Sequence, residues 1–169
     1  MLAGFGVRFG TLTDPATVLF LCSGNYYRSR FAELLFNHLI VDTGLAYTAD
    51  SAGLWENCRN HNSAPISSHT VAALRARGVT LPVEHRIPRD VTEADIRSAA
   101  VTIALKEAEH RPLMVRRFPA VLHRVEFWHV HDVEDAPPSE AIPLIETNVR
   151  ALVERLRREL SSAEPRPGL

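Results

Sequence analysis

Apolar residues fall along this chain in two patterns, short continuous runs and helical stripes. Thr17 to Cys22 (TVLFLC) is β-branched and apolar without alternation, the pattern of a strand covered on both faces. Ala46–Ser51, Ala100–Leu105 and Arg124–Val130 read as three further strands. Between them the period changes. Phe31, Leu34, Leu35 and Leu39 share one face of a helix that begins near Arg28 and ends at Thr43-Gly44. Ser67 or Ser68 caps a helix through Val71 and Leu74 that stops at Gly78, and Thr92-Glu93-Ala94-Asp95 caps a short one. Glu107–Phe118 is a weaker helix, because Pro112 must lie in its first turn or kink it. The last helix starts near Ser139, takes Pro143 in its first turn, and carries a stripe from Ile145 to Leu160. Strands alternating with helices predict an α/β fold: a single domain with a four-stranded parallel sheet and helices on both faces.

Domain organisation follows from the same pattern. Residues 1–15, with three glycines and Pro15, read as an N-terminal extension, 16–161 as the domain, and 162–169 as a flexible tail. Leu54–Pro65 (LWENCRNHNSAP) is long and polar for a connector, and such loops often carry function. A net charge of −1 argues for neither nucleic acid nor an anionic membrane as partner. Two cysteines are too few for a disulfide scaffold, and no apolar run reaches membrane-spanning length, so the expected compartment is the cytoplasm.

Candidate chemistry gathers where the first strand meets the first helix. Cys22 ends the strand, Ser23, Gly24 and Asn25 favour a turn, and Arg28 opens the helix. Gly24 and Asn25 are the residue types that most readily hold a positive φ. Open parallel sheets bind ligands at the carboxyl ends of their strands. Five residues between Cys22 and Arg28 let a loop wrap a tetrahedral anion, its amides and the guanidinium taking the oxygens and the sulfur lying behind the central atom. Helix N-terminus, loop amides and Arg28 together favour a thiolate, to which Ser29 could donate a hydrogen bond.

CSGNYYRS with the preceding VLFL resembles the phosphate loop of the low-molecular-weight protein tyrosine phosphatases, a fold shared with a group of arsenate reductases. Ser51-Ala52-Gly53 is similar to the SAG after that family's second strand. His85, followed by Arg89 and VTEADI, resembles its His-x-x-Arg-x-Leu-Thr segment, and Asp132-Val133-Glu134-Asp135 its acidic loop before the last helix. The likeness spans about residues 16–160. It implies a phosphatase that cleaves phosphomonoesters, protein phosphotyrosine first among them, through a phosphocysteine on Cys22, with neither metal nor cofactor. Phosphorylated protein or a small phosphomonoester is then the partner. Residues 23–29 (Ser23, Gly24, Asn25, Tyr26, Tyr27, Arg28, Ser29) bind the phosphoryl group, Arg28 above all. Asn25 holds the loop with support from Ser51 and His85, and Asp135 is the general acid, with Asp132 the competing candidate. The alternatives are an arsenate reductase using the same loop with an external thiol, and a non-catalytic phosphate-binding module.

Two departures bear on specificity. Tyr27 stands where the family often has a second Cys. Asp135-Ala136-Pro137-Pro138 lacks the tyrosines that wall the family's pocket, a task left to Tyr26, Tyr27 or Trp55. His129 and His131 beside Asp132 form too small a set for a metal site. A Cys22–Cys58 disulfide requires Cα atoms within about 7 Å, reached only if the 54–64 loop folds inward, so none is expected.

Overall fold

The first strand, β1 (Ala16–Cys22), sends Val18 and Phe20 to one side and Leu19 and Leu21 to the other, and all four are buried. A strand apolar on both faces must be sandwiched. β2 (Tyr47–Gly53), β3 (Val101–Ala104) and β4 (Val125–Phe127) complete a parallel sheet in the order β2-β1-β3-β4 among the described residues, 14–163 of this computed structural model. The expected N-terminal extension, apart from Asp14 and Pro15, lies outside those residues.

One face is covered by α1 (Arg28–Leu39) and α5 (Pro138–Ala163), whose Phe31, Leu35, Phe36, Ile145, Val149 and Leu152 pack with Val18 and Phe20. The other is covered by α3 (Glu93–Ser98) and α4 (Glu107–Arg117), with Ile96 and Met114 packed on Leu19 and Leu21. α2 (Ser68–Arg75) packs against α1. Its cap is Ser67, which accepts from His69 N, and Thr92 with Asp95 forms the capping box of α3.

Several boundaries differ from the expected ones. α1 stops at Leu39, because Thr43 Oγ1 takes the carbonyl of Ile40 and Gly44 turns the chain at φ +74°. β4 is shorter than 124–130: a 3₁₀ turn from Pro119 to Arg124 precedes it, and Trp128–Val130 continue beside β3 without a regular ladder. Pro112 and Pro143 each lie beyond the first turn of their helix, and both helices run through them. α5 extends to Ala163, so Ser162 and Ala163 of the expected tail are helical, while 164–169 lie outside the described residues.

Sheet order sets the site. β1 lies between β2 and β3 with α1 and α3 on opposite faces, so the loop leaving β1 opens at the point where strand order reverses. Cys22 is paired with Gly53 across β1 and β2. Gly53 admits no side chain: a Cβ there would lie 2.3 Å from Cys58 Sγ, 2.9 Å from Ser23 O and 3.1 Å from Asn25 N. Gly53→Ala is therefore expected to lower stability by about 1–3 kcal/mol, the range for overpacking. Chemical denaturation checks this, and a loss below about 0.5 kcal/mol would show that the close approach is not a constraint.

Candidate active site

The carbonyls at the base of the loop after β1 are drawn outward. Leu54 N donates to Cys22 O and Trp55 N to Ser23 O, both at 2.9 Å. Farther on, Tyr26 O accepts from Ser67 N at 3.0 Å and Tyr27 O from Thr70 Oγ1 at 3.0 Å. No side chain caps the start of α1 at Tyr27, which leaves its first-turn amides for an anion.

Asn25 holds the loop's shape at φ +53°. Its carboxamide is saturated. Nδ2 donates to Ser29 Oγ (3.1 Å) and Ser51 Oγ (2.8 Å), and Oδ1 accepts from Arg86 Nη1 (2.9 Å) and Arg89 N (3.1 Å). Ser29 Oγ thus spends an acceptor site on Asn25 and keeps its proton for Cys22 Sγ, 3.0 Å away. Ser51 Oγ donates onward to Glu33 Oε2, which also receives Arg30 and Arg86.

Arg86 occupies the place expected for His85. The spacing x-x-Arg-x-Leu-Thr, counted back from Arg89, begins at Arg86 and not at His85, so the signal was present one residue on. Arg86 reaches Asn25, Glu33, Asp50 and Ser51 together, a set suited to a five-donor guanidinium. His85 Nδ1 is buried without a partner among the described residues; burial first, then the charges of Arg30 and Arg75, push its pKa down.

Arg28 is 1 % exposed. Nη1 donates to Glu109 Oε2 (3.2 Å) and Val130 O (3.1 Å), Nη2 to Glu109 Oε1 (3.1 Å) and Asp132 Oδ2 (2.6 Å). Nε is buried with no partner among the described residues, the kind of orphaned donor that an incoming anion satisfies. Asp132 turns its carboxylate into the site because the chain folds back on it, Asp135 N and Ala136 N both donating to its backbone carbonyl.

Asp132, and not Asp135, therefore lies on the pocket above Cys22 and Arg28. Asp135 pairs with Lys106 instead, and its side chain is 53 % exposed. The ammonium of Lys106 holds that carboxyl below the usual carboxylate range, the reverse of what a proton donor needs. Of the two candidate acids, the structure thus brings Asp132, one turn earlier in the loop, to the pocket.

A cavity of about 350 Å³ opens above the sulfur, walled by Trp55, Tyr26, Tyr27, His69 and Asp132. All three aromatic candidates border it, Trp55 at the mouth against Gly24 and Tyr27 buried with its hydroxyl unpartnered among the described residues. Trp55 is placed by the 54–64 loop, which does fold inward. Asp90 accepts from Asn57 N and Cys58 N at 2.8 Å each, and Cys58 Sγ lies 3.6 Å from Ser23 O beneath the loop. Both cysteines are nonetheless free. Burial first, then the charge of Asp90, pushes the Cys58 thiol up to about 12, so it stays a poor nucleophile at neutral pH. Among the described residues no cluster of three or more metal-ligating side chains forms.

The support network yields a paired test. Arg86→Leu removes one donor each from Glu33, Asp50 and Asn25 Oδ1 and is expected to cost about 1–3 kcal/mol of stability, with turnover falling. His85→Ala is expected to cost less than about 1 kcal/mol and to leave turnover unchanged. Thermal melts and initial rates check both, and a reversed order would return the role to His85. For Cys58, iodoacetamide on the native protein at neutral pH is expected to label Cys22 alone, read by peptide mass mapping. Equal labelling of both would contradict the buried-thiol assignment.

A family model described as low molecular weight phosphotyrosine protein phosphatase matches residues 17–162. Among solved structures, YfkJ from Bacillus subtilis is similar at 25% identity and TM-score 0.75, over 88% of this chain and 98% of that one. A low molecular weight protein tyrosine phosphatase from T. tengcongensis shares 23% identity at TM-score 0.69, over 83% and 99%. The YwlE arginine phosphatase from Geobacillus stearothermophilus shares 20% at TM-score 0.69, over 90% and 100%. No curated protein sequence matches the chain. With its anion loop, buried arginine and parallel sheet all inside the matched span, the chain belongs to the low molecular weight phosphotyrosine protein phosphatase family, a family of cysteine-dependent phosphatases.

Proposed function

We propose that the protein hydrolyses aromatic phosphomonoesters, protein phosphotyrosine foremost, through a phosphocysteine on Cys22. The observation that carries this reading is the pairing of Cys22 Sγ with the proton of Ser29 Oγ at 3.0 Å, next to an Arg28 whose buried Nε has no partner among the described residues. A thiolate there needs a donor, and a phosphoryl dianion needs the open guanidinium edge.

The incoming phosphoryl group takes Arg28 Nε and replaces Asp132 on Nη2. Cys22 sulfur attacks phosphorus from within the loop, and the bond to the ester oxygen breaks. Asp132, freed from Arg28, takes the proton carried in by the phosphomonoester monoanion and delivers it to that oxygen. Asp132 then takes a proton from water as the water attacks the phosphocysteine. Phosphate leaves and the thiolate returns. Loop amides, the α1 N-terminus and Arg28 supply the positive field throughout. Trp55, 41 % exposed at the mouth, with Tyr26 gives a flat apolar wall on which an aromatic leaving group stacks.

Cys22→Ser is expected to abolish turnover while phosphate or vanadate still binds, since a hydroxyl does not ionise at neutral pH and the anion cradle survives. Retained turnover would exclude Cys22 as nucleophile. Asp132→Asn is expected to slow poor leaving groups by about 10² and good ones far less, while Asp135→Asn leaves both near wild type. The opposite pattern would return the acid role to Asp135. Initial rates on phenyl phosphate, p-nitrophenyl phosphate and phosphotyrosyl peptides read these effects. Phosphoarginine and arsenate with glutathione or mycothiol complete the panel. Turnover confined to either of those would overturn the proposed substrate class.

A further inference from the structure

Glu109 enters the site from the first turn of α4, at the carboxyl end of β3, and the mechanism above does not use it. Its carboxylate meets Arg28 as a fork, Oε2 to Nη1 and Oε1 to Nη2. A two-point contact fixes the rotation of a planar guanidinium within its plane, which a single contact does not. With Val130 O taking the other Nη1 hydrogen, the remaining edge, Nε and the second Nη2 hydrogen, is left towards the anion site; among the described residues Nε is unpartnered and Nη2 carries only the displaceable Asp132 there.

Glu109 is itself held. Lys106 N donates to His110 Nδ1 at 3.0 Å, which leaves the proton on Nε2. That Nε2 lies 3.2 Å from Ser23 Oγ, and Ser23 Oγ donates to Glu109 Oε1. His110 is fully buried; burial first, then the charge of Arg28, brings its pKa down, so it is neutral and acts as a fixed donor. Burial also acts to raise the Glu109 pKa, but hydrogen bonds from His110 and Arg28 and the guanidinium charge outweigh it and bring it down to about 2. Glu109 is therefore an anion near neutral pH and has no proton to give there.

A permanent carboxylate beside the place where a dianion must sit weakens ground-state binding. The compensation is orientation, which counts most when charge spreads over the equatorial oxygens in the transition state. We propose that Glu109, tethered through Ser23 and His110, is a positioning residue that aims the Nε/Nη2 edge of Arg28 at the transition state of phosphoryl transfer. The inference rests on the phosphatase reading above.

Glu109→Gln in the full chain tests it. The amide keeps the size but sets a donor against one arm of the guanidinium and removes the charge. On p-nitrophenyl phosphate, kcat is expected to fall about 10–100-fold with KM unchanged or lower. Vanadate, which mimics the transition state, is expected to inhibit more weakly by a similar factor, while the inhibition constant of phosphate holds or falls. Ser23→Ala, which keeps the carboxylate and cuts its tether, is expected to show the same split at a few-fold, and it stands as the test if the Gln variant fails to fold. Unchanged or faster turnover in both variants would make Glu109 a competitor of substrate and overturn the proposal. So would a joint weakening of phosphate and vanadate, the sign of a collapsed site. No ester turnover by the wild-type protein would instead strike the phosphatase reading, whatever the variants do.

Discussion

The site depends on one carboxamide. Asn25 is held at a positive φ that costs a non-glycine residue of order 1 kcal/mol, and four hydrogen bonds offset that strain. They reach Ser29 on α1, Ser51 on β2, and Arg86 and Arg89 in the segment before α3. The loop is thus tied to three separate stretches of chain through a single side chain. Because an amide has only two donors and two lone-pair directions of use here, each partner also decides what the next one does. Ser29 accepts, so its own proton is directed to Cys22. Ser51 accepts, so its proton goes to Glu33. The polarity at the sulfur is set by bonds made on the far side of the loop.

Charge is balanced in the same local way. Arg28 is almost fully buried, and an unpaired buried cation would be prohibitive. Glu109 and Asp132 neutralise it, but unequally. Glu109 grips two nitrogens and is anchored behind by Ser23, whereas Asp132 holds one nitrogen from a turn at the pocket wall. The anchored carboxylate stays and the turn-borne one is free to leave. That asymmetry separates a two-point partner of the guanidinium from a one-point partner within one cluster, using nothing but where the two residues sit on the fold.

Most of the scaffold was legible because burial writes itself into pattern. The unbroken apolar run of β1 and the stripe of α5 could serve only a covered sheet and a packed helix. Cys22, Arg28 and Ser29 were legible because they fall at fixed places on a strand end and a helix start. What failed depended on counting within irregular backbone. His85 and Arg86 are adjacent in a segment with no helix or strand to fix phase, and only the distance to Arg89 separates them. Asp132 and Asp135 share a turn whose folding back, through two amides on the Asp132 carbonyl, has no periodic signal. Glu109 was invisible for another reason: an acidic residue in a helix's first turn reads as an ordinary dipole partner, and its reach to Arg28 exists only once β3 lies beside β1.

The long polar loop after β2 shows how wall and floor become one unit. Asp90 pins Asn57 and Cys58, and Cys58 lies under the Ser23 carbonyl in space that Gly53 leaves empty. Trp55, three residues before Cys58, is thereby set at the pocket mouth over Gly24. The same 86–90 segment that places this loop also supplies Arg86 and Arg89 to Asn25. A change that alters the aromatic wall by moving this loop must therefore pull on the support of the Cys22 loop. Within this loop, the wall can be altered without moving the backbone only at the exposed side chain of Trp55, whose ring borders the cavity while its backbone carries the structural bond to Ser23.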